Sequence, residues 1–236
     1  MAGFPAIFFS GALASRRVRQ NGMTKVFTPG PNIRLPRIHD PEFLVFVRHG
    51  QTDWNREGRM QGHRDIPLNE TGRGQAAQNG ERLRAFLQQE GFDPREFDFV
   101  SSPLGRTRST MELVRAGLDL PAGDYRLDQR VAELTFGEWE GFTFEDLADE
   151  EQERLLHRRA DKWRFTPPRG ESYEMLADRV GTWLKTVSKP TVVVSHGGVF
   201  RVVRGLLEGL ESVHVPKLDA PQDRVFVWRD GRFAVI

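Results

Sequence analysis

The chain has 236 residues, 38% hydrophobic and 28% charged, with 34 basic against 33 acidic side chains and a formal charge of +1, a composition that fits a folded domain with a sizeable core and excludes a disordered or membrane-spanning chain. The absence of cysteine rules out a disulfide framework, a thiolate metal site and a cysteine nucleophile. Arg16-Arg17 and Arg158-Arg159 are short basic pairs with no interleaved aromatics, so no nucleic-acid partner is expected, and no apolar run is long enough to imply a membrane partner.

Residues 1–14 are apolar and precede Arg16, Arg17 and Arg19, the reverse of the order in a secretory signal. Met23 opens a more ordinary start. Pro29, Pro31, Pro36 and Pro41, with few periodic apolar positions between them, suggest an irregular arm over residues 28–41; with the lead before it, residues 1–41 are expected to be an irregular or disordered arm and residues 42–236 a single domain. A cytoplasmic monomer or small homodimer is the expectation.

The first strong element is Phe43-Leu44-Val45-Phe46-Val47, an unbroken apolar run suited to a strand buried on both faces, and it ends in Arg48-His49-Gly50. A helix follows over residues 71–89, with Ala76, Leu83 and Leu87 at helical spacing and Gly91 as its stop. A strand over residues 97–100, the polar Ser101-Ser102-Pro103 and a helix over 104–116 repeat the pattern. Residues 125–130 read as extended, 145–163 as a charged surface helix, and 172–187 as another helix after the Pro167-Pro168 break. Val192-Val193-Val194 mark a second buried strand over residues 191–194, followed at once by Ser195-His196-Gly197-Gly198 and a helix over 199–207. Asp230-Gly231 predicts a terminal hairpin between residues 224–227 and 233–236.

Strand and helix alternate, which predicts an α/β fold, a three-layer α/β/α sandwich around a largely parallel sheet. Ligands of such sheets collect beyond the carboxyl ends of the strands, where both His49 and His196 stand. Imidazole can attack phosphorus while its other nitrogen is held by a backbone carbonyl; guanidinium offers a fork to phosphate oxygens.

The segments Arg48-His49-Gly50-Gln51-Thr52-Asp53-Trp54-Asn55-Arg56-Glu57-Gly58-Arg59, Ser102-Pro103-Leu104-Gly105-Arg106-Thr107-Arg108, Glu133-Leu134-Thr135-Phe136-Gly137-Glu138-Trp139-Glu140-Gly141 and Val194-Ser195-His196-Gly197-Gly198 together resemble, in order, the signatures of the histidine phosphatase, or phosphoglycerate mutase-like, superfamily. The resemblance runs from about Phe43 to Leu207. It implies that His49 accepts the phosphoryl group, that Arg48, Arg106 and His196 surround its oxygens with His196 as a cationic donor, and that Glu133 is the general acid. It places Asn55 as a further substrate-binding donor. Apart from the resemblance, the loop arginines Arg59 and Arg64, Trp139 in the aromatic stretch beside Glu133, and Gly197 are weaker substrate-binding candidates. No metal and no cofactor are required by this arrangement, because positive side chains would supply the charge that a cation supplies elsewhere.

Within the superfamily, glycolytic mutases carry a longer excursion between the acid and the second histidine than the segment from Glu133 to His196, and the Phe136-to-Gly141 stretch looks more like the phosphatase branch. The expectation is therefore a phosphoric monoester hydrolase of histidine-acid type acting on a small phosphorylated metabolite. A bisphosphoglycerate-dependent mutase and a non-catalytic phosphate binder are the alternatives. Serine hydrolysis through Ser195 is disfavoured, since no G-x-S-x-G elbow surrounds it. His39, His63, His157 and His214 have no metal-site constellation around them.

Overall fold

The computed structural model describes residues 16–20, 23–27, 30–37, 41–147 and 151–236; the apolar lead over residues 1–14 lies outside them. Strands β1 (Arg16–Gln20) and β2 (Met23–Phe27) pair antiparallel. Further along, Ile33 and Leu35 hydrogen-bond to the backbone of Ser212 and Leu210, and Leu35 is buried in the core. The arm expected to be irregular thus contains one antiparallel strand pair and one docked segment.

Strand β3 (Phe43–Arg48) shows why the layers form. Its period of two sends Phe43, Val45 and Val47 to one face and Leu44 and Phe46 to the other. After α1 (Asp53–Arg56), the long α2 (Glu70–Glu90) begins at an Asn69 cap and ends at Gly91, whose φ of 75° is the left-handed conformation that a glycine adopts without a Cβ penalty. Strand β4 (Asp98–Ser101) leads to α3 (Gly105–Gly117), and Leu83 and Leu87 of α2 pack with Met111 and Val114 of α3 on the first face of β3. The second face is covered by α5 (Tyr173–Leu184) and α6 (Gly197–Glu208), which follow the short β5 (Arg126–Leu127) and α4 (Gln152–Ala160), through Leu176, Val180, Val203 and Leu206.

Strand β6 (Thr191–Ser195) divides in the same way, Val192 and Val194 to one core and Val193 to the other, as does β7 (Val225–Arg229), which turns through Asp230-Gly231 into β8 (Arg232–Val235). Burying each of these aliphatic or aromatic side chains contributes about 1.5–3 kcal/mol against the entropy of ordering the chain. The sheet order is β5-β4-β6-β3-β7-β8, with β5, β4, β6 and β3 parallel and β7 and β8 antiparallel at one edge. The α/β sandwich with a largely parallel sheet is thus observed.

Two elements are shorter than their sequence pattern suggests. The charged helix expected over residues 145–163 spans only Gln152–Ala160. On its near side Thr143 and Asp146 exchange side-chain-to-backbone hydrogen bonds; on its far side Asp161 leaves helical geometry and accepts from Arg164 and Gly30. Such local side-chain bonds compete with helix continuation. The extended stretch over 125–130 reduces to Arg126–Leu127, because the Asp128 carboxylate accepts from the Arg130 amide and starts a tight turn at Gln129–Val131. No helix among the described residues is long and apolar enough to cross a membrane.

Candidate active site

Register delivers the two histidines to one place. Strands β3 and β6 are parallel neighbours with Arg48 opposite Ser195, so His49 and His196 leave adjacent strand ends side by side, their ring centroids 5.1 Å apart. Strand β4 is the other parallel neighbour of β6 and ends beside them, which brings Ser102 and the first turn of α3, with Arg106, to the same edge. The site therefore lies beyond the carboxyl ends of three parallel strands.

His49 is buried, and its Nδ1 lies 2.8 Å from the Gly50 carbonyl. A carbonyl only accepts, so Nδ1 carries the proton and Nε2 keeps its lone pair. Burial first, then the charges of Arg106 and Arg48, hold this imidazole well below its ordinary pKa of 6.5, against a smaller opposing effect of the Gly50 hydrogen bond. The result is a neutral ring with an unprotonated Nε2, the form a nucleophile needs. The backbone there is tightly fixed: Gly50 N donates to Thr110 Oγ1, and a Cβ at Gly50 would lie 2.1 Å from the Gly72 carbonyl oxygen.

His196 is fully buried, with Nε2 2.8 Å from Ser102 Oγ. Ser102 Oγ also accepts from Leu104 N at 3.4 Å, so its hydroxyl proton is free to be donated to Nε2, and the neutral ring then carries its proton on Nδ1. His196 was expected to act as a cation; burial, then Arg106, His49 and Arg48, hold its pKa well below 6.5, which favours the neutral ring.

Both arginines are anchored by carbonyls, which orient a guanidinium without cancelling its charge. Arg106, 1% exposed, donates to Arg64 O and Gly62 O, both at 2.7 Å, and Arg48 donates to Ala220 O. The 61–66 loop is stitched to α3 a second time, by the Asp65 carboxylate accepting from Gly105 N. Burial is the main cause that lowers both guanidinium pKa values, Arg48 to about 10. After these contacts, Arg48 Nε, Arg106 Nε and His196 Nδ1 are buried and donate to no protein acceptor. Orphaned buried donors cost about 1–3 kcal/mol each, and all three belong to groups that bear on His49, the two arginines through their charge and His196 through its neighbouring ring.

Glu133 follows the turn after β5. Its Oε1 accepts from Leu134 N at 3.0 Å and its Oε2 from Gly198 N at 3.2 Å, so the carboxylate is tied to the first turn of α6. Gly197 is at that helix start as expected: a Cβ there would come within 3.4 Å of the Arg48 guanidinium and 3.2 Å of that of Arg201. Asn55 completes a capping box with Thr52, and its Oδ1 also accepts from Gln222 Nε2 at 3.0 Å.

The remaining candidates fall elsewhere. Trp139, expected to line the pocket, is 1% exposed and stacks on Phe165 in a satellite core with Met60, Leu147 and Leu155. Its apolar bulk is more stably buried than left at a rim. Arg59 bonds Glu57, Asp146 and the Gly141 carbonyl, which pins a surface loop and largely neutralises it. The Arg64 side chain is mostly exposed, 3.9 Å from Glu140; only its backbone carbonyl serves Arg106.

Three contributors had no local signal in the sequence. Gln222 Nε2 donates to the His49 carbonyl as well as to Asn55. Arg179 and His63 both bond the Glu133 carbonyl, at 3.0 and 2.7 Å. Ser102 was visible in its motif, but its bond to His196 was not.

Comparison with known proteins places this arrangement. The chain is 36% identical over 162 residues to the probable phosphoglycerate mutase GpmB of Salmonella paratyphi C, covering 65% of this chain and 69% of that protein. It is 29% identical over 194 residues to a 2,3-bisphosphoglycerate-dependent phosphoglycerate mutase of Beijerinckia indica, covering 79% and 90%. Among solved structures, an Escherichia coli protein provisionally named an alpha-ribazole-5'-P phosphatase superposes with a TM-score of 0.68 at 25% identity, over 84% of this chain and 95% of that one. A mycobacterial glucosyl-3-phosphoglycerate phosphatase does so with a TM-score of 0.65 at 27% identity, over 82% and 97%. The sequence profile of the histidine phosphatase superfamily (branch 1) matches residues 44–235, and the chain belongs to that family.

Proposed function

We propose that this protein hydrolyses a small phosphorylated metabolite through a phosphohistidine on His49. The observation that carries the reading is the set of three buried donors, Arg48 Nε, Arg106 Nε and His196 Nδ1, left without protein acceptors on groups whose charge or ring bears on His49, an imidazole whose Nε2 is unprotonated. A phosphoryl group at that point would satisfy all three donors and offer its phosphorus to the lone pair.

In the first step the His49 Nε2–P bond forms as the P–O bond to the leaving group breaks. Glu133 gives its proton to the departing alkoxide, and the three donors meet the charge on the non-bridging oxygens. The amino end of α6, where the Glu133 carboxylate accepts from Gly198 N, adds a favourable dipole. In the second step the Glu133 carboxylate takes a proton from water as its oxygen attacks phosphorus, releasing inorganic phosphate and restoring neutral His49. His49 Nδ1–H stays on the Gly50 carbonyl throughout, which holds the ring and supports the cationic phosphoimidazole.

Names among the relatives favour one competing reading, a mutase in which a bound phosphorylated acid, not water, takes the phosphoryl group. Phosphate release from a panel of phosphorylated metabolites, with excess EDTA present and a His49→Ala variant alongside, tests the proposal. Release that survives EDTA and disappears in the variant is the expected result; isomerisation of phosphoglycerates without release would favour the mutase, and release that persists in the variant would exclude His49.

A further inference from the structure

The loop that precedes β7 sends one side chain into the site, and the backbone that bears it is fixed from α2. Asn79, fully buried, donates from Nδ2 to the Gln222 carbonyl at 2.9 Å; Arg82, one turn further on, donates to the Asp223 carbonyl and, at 3.3 Å, to Asn79 Oδ1. A buried amide is costly unless it is bonded, and here it holds the loop in place. From that fixed point the half-buried Gln222 offers one amide nitrogen to two acceptors at once: Nε2 lies 3.0 Å from the His49 carbonyl and 3.0 Å from Asn55 Oδ1.

The polarity of this bridge is forced. A backbone carbonyl only accepts, so Gln222 must turn Nε2, not Oε1, toward His49; the second hydrogen of the same nitrogen then faces Asn55, which must answer with Oδ1. The Thr52 amide, which only donates, meets that oxygen at 3.2 Å, as does the Thr52 hydroxyl. A flipped Asn55 would set its NH2 group against the N–H groups of both Gln222 and Thr52. With Oδ1 taken by these donors, Asn55 Nδ2 is the end left over, and among the described residues no protein acceptor takes it. Thr52 belongs to the same capping box as Asn55 and moves with it, whereas Gln222 ties that box to the His49 backbone.

We infer that Gln222 is a positioning residue, which through its bond to Oδ1 turns the Asn55 amide so that Nδ2 is the group offered to a phosphoryl oxygen. This rests on the phosphoryl-transfer reading above, with Asn55 as a donor to the substrate. Gln222 lies beyond the stretch from Phe43 to Leu207 that carried the family resemblance.

The test compares the full-length wild type with Gln222→Met, Asn55→Ala and the double variant. Two quantities are measured, kcat/KM for p-nitrophenyl phosphate and the dissociation constant of inorganic phosphate by calorimetry. Heteronuclear NMR adds the side-chain NH2 signals of Asn55, identified by their loss in Asn55→Ala. Misdirecting a hydrogen bond to a charged oxygen is expected to lower kcat/KM and phosphate affinity by about tenfold in Gln222→Met. In the Asn55→Ala background the same substitution should cost less than about threefold, because the amide it directs is gone. Phosphate should shift the Asn55 NH2 signals in the wild type and leave them nearly unmoved in Gln222→Met, a signature that loss of packing alone does not give. An equal loss in both backgrounds would overturn the inference, as would a Gln222→Met enzyme within about threefold of wild type in both quantities, or wild-type Asn55 signals that ignore phosphate. Phosphate binding with the amide response but no hydrolysis of the ester would instead contradict the phosphatase reading and leave the positioning role standing. Gln222→Glu, which keeps the shape and turns an acceptor toward both oxygens, is the second variant should the methionine unsettle the fold; it should lose the NH2 response, and a retained response would overturn the role.

Discussion

Replacing Arg106 with lysine keeps the positive charge and removes the fork, and the structure says what that costs. Two terminal nitrogens of Arg106 are committed to Gly62 O and Arg64 O at 2.7 Å, leaving Nε for a phosphoryl oxygen. One ammonium cannot reproduce this: if it stays on the carbonyls the phosphoryl oxygen loses its donor, and if it moves to the phosphoryl group two buried carbonyls lose theirs. A charge-assisted hydrogen bond is worth about 1.5–3 kcal/mol, which converts to a loss of roughly 10- to 150-fold in kcat/KM. Arg106→Ala also removes the charge and is expected to lose about 10²–10³-fold, as for other donors to developing oxyanions. Steady-state phosphate release, with thermal unfolding run on the same preparations, measures both effects. A folded lysine variant with kcat/KM within threefold of wild type would refute the argument that Nε is the working donor.

Stability should depend on pH through the two buried imidazoles. Both have folded pKa values below 6.5, so the unfolded chain binds more protons as pH falls; the stabilisation is full above about pH 6.5 and is lost on acidification at up to about 1.4 kcal/mol per pH unit for each histidine. Denaturant titrations between pH 8 and pH 5 should show this slope, reduced in a His49→Asn/His196→Asn double variant; equal slopes would contradict it. Ser102→Ala should lower kcat/KM by roughly tenfold, because His196 loses the bond that keeps its proton on Nδ1, and Ser102→Thr should restore part of it; an unchanged alanine variant would remove Ser102 from the account. Phe46→Ala, at a fully buried position between the sheet and α6, should cost about 3–5 kcal/mol in chemical unfolding; a loss below 1 kcal/mol would mean that this core is less tightly packed than it looks.

Much of this architecture is written in local pattern. The unbroken apolar runs at Phe43-to-Val47 and Val192-to-Val194 identify strands buried on both sides, and the polar residues that follow them must then lie at the sheet's ligand-binding edge. Sequence alone could not show that β3 and β6 are neighbours, which is why the 5.1 Å approach of His49 and His196 had to await the topology. The surroundings of Trp139 and Arg59 were not legible for a related reason: proximity in sequence to Glu133 or to the first motif does not fix which way a side chain points. The charge state of His196 depends on burial and on two guanidinia from distant segments, and Gln222 reaches the His49 carbonyl from a loop before β7. The ends of α4 were missed because Thr143, Asp146 and Asp161 spend their side chains on nearby backbone, an outcome that helical periodicity does not register.

Covalent chemistry on His49 is tested by trapping the intermediate. The enzyme would be mixed with an excess of a turned-over phosphomonoester, quenched in alkali within milliseconds to seconds, and digested for tandem mass spectrometry. A base-stable, acid-labile phosphoryl group is expected on Nε2 of His49, absent from His49→Ala and accumulating in Glu133→Gln when a good leaving group bypasses the need for its proton. Turnover with no phosphohistidine in either background, or label on any residue other than His49, would contradict it.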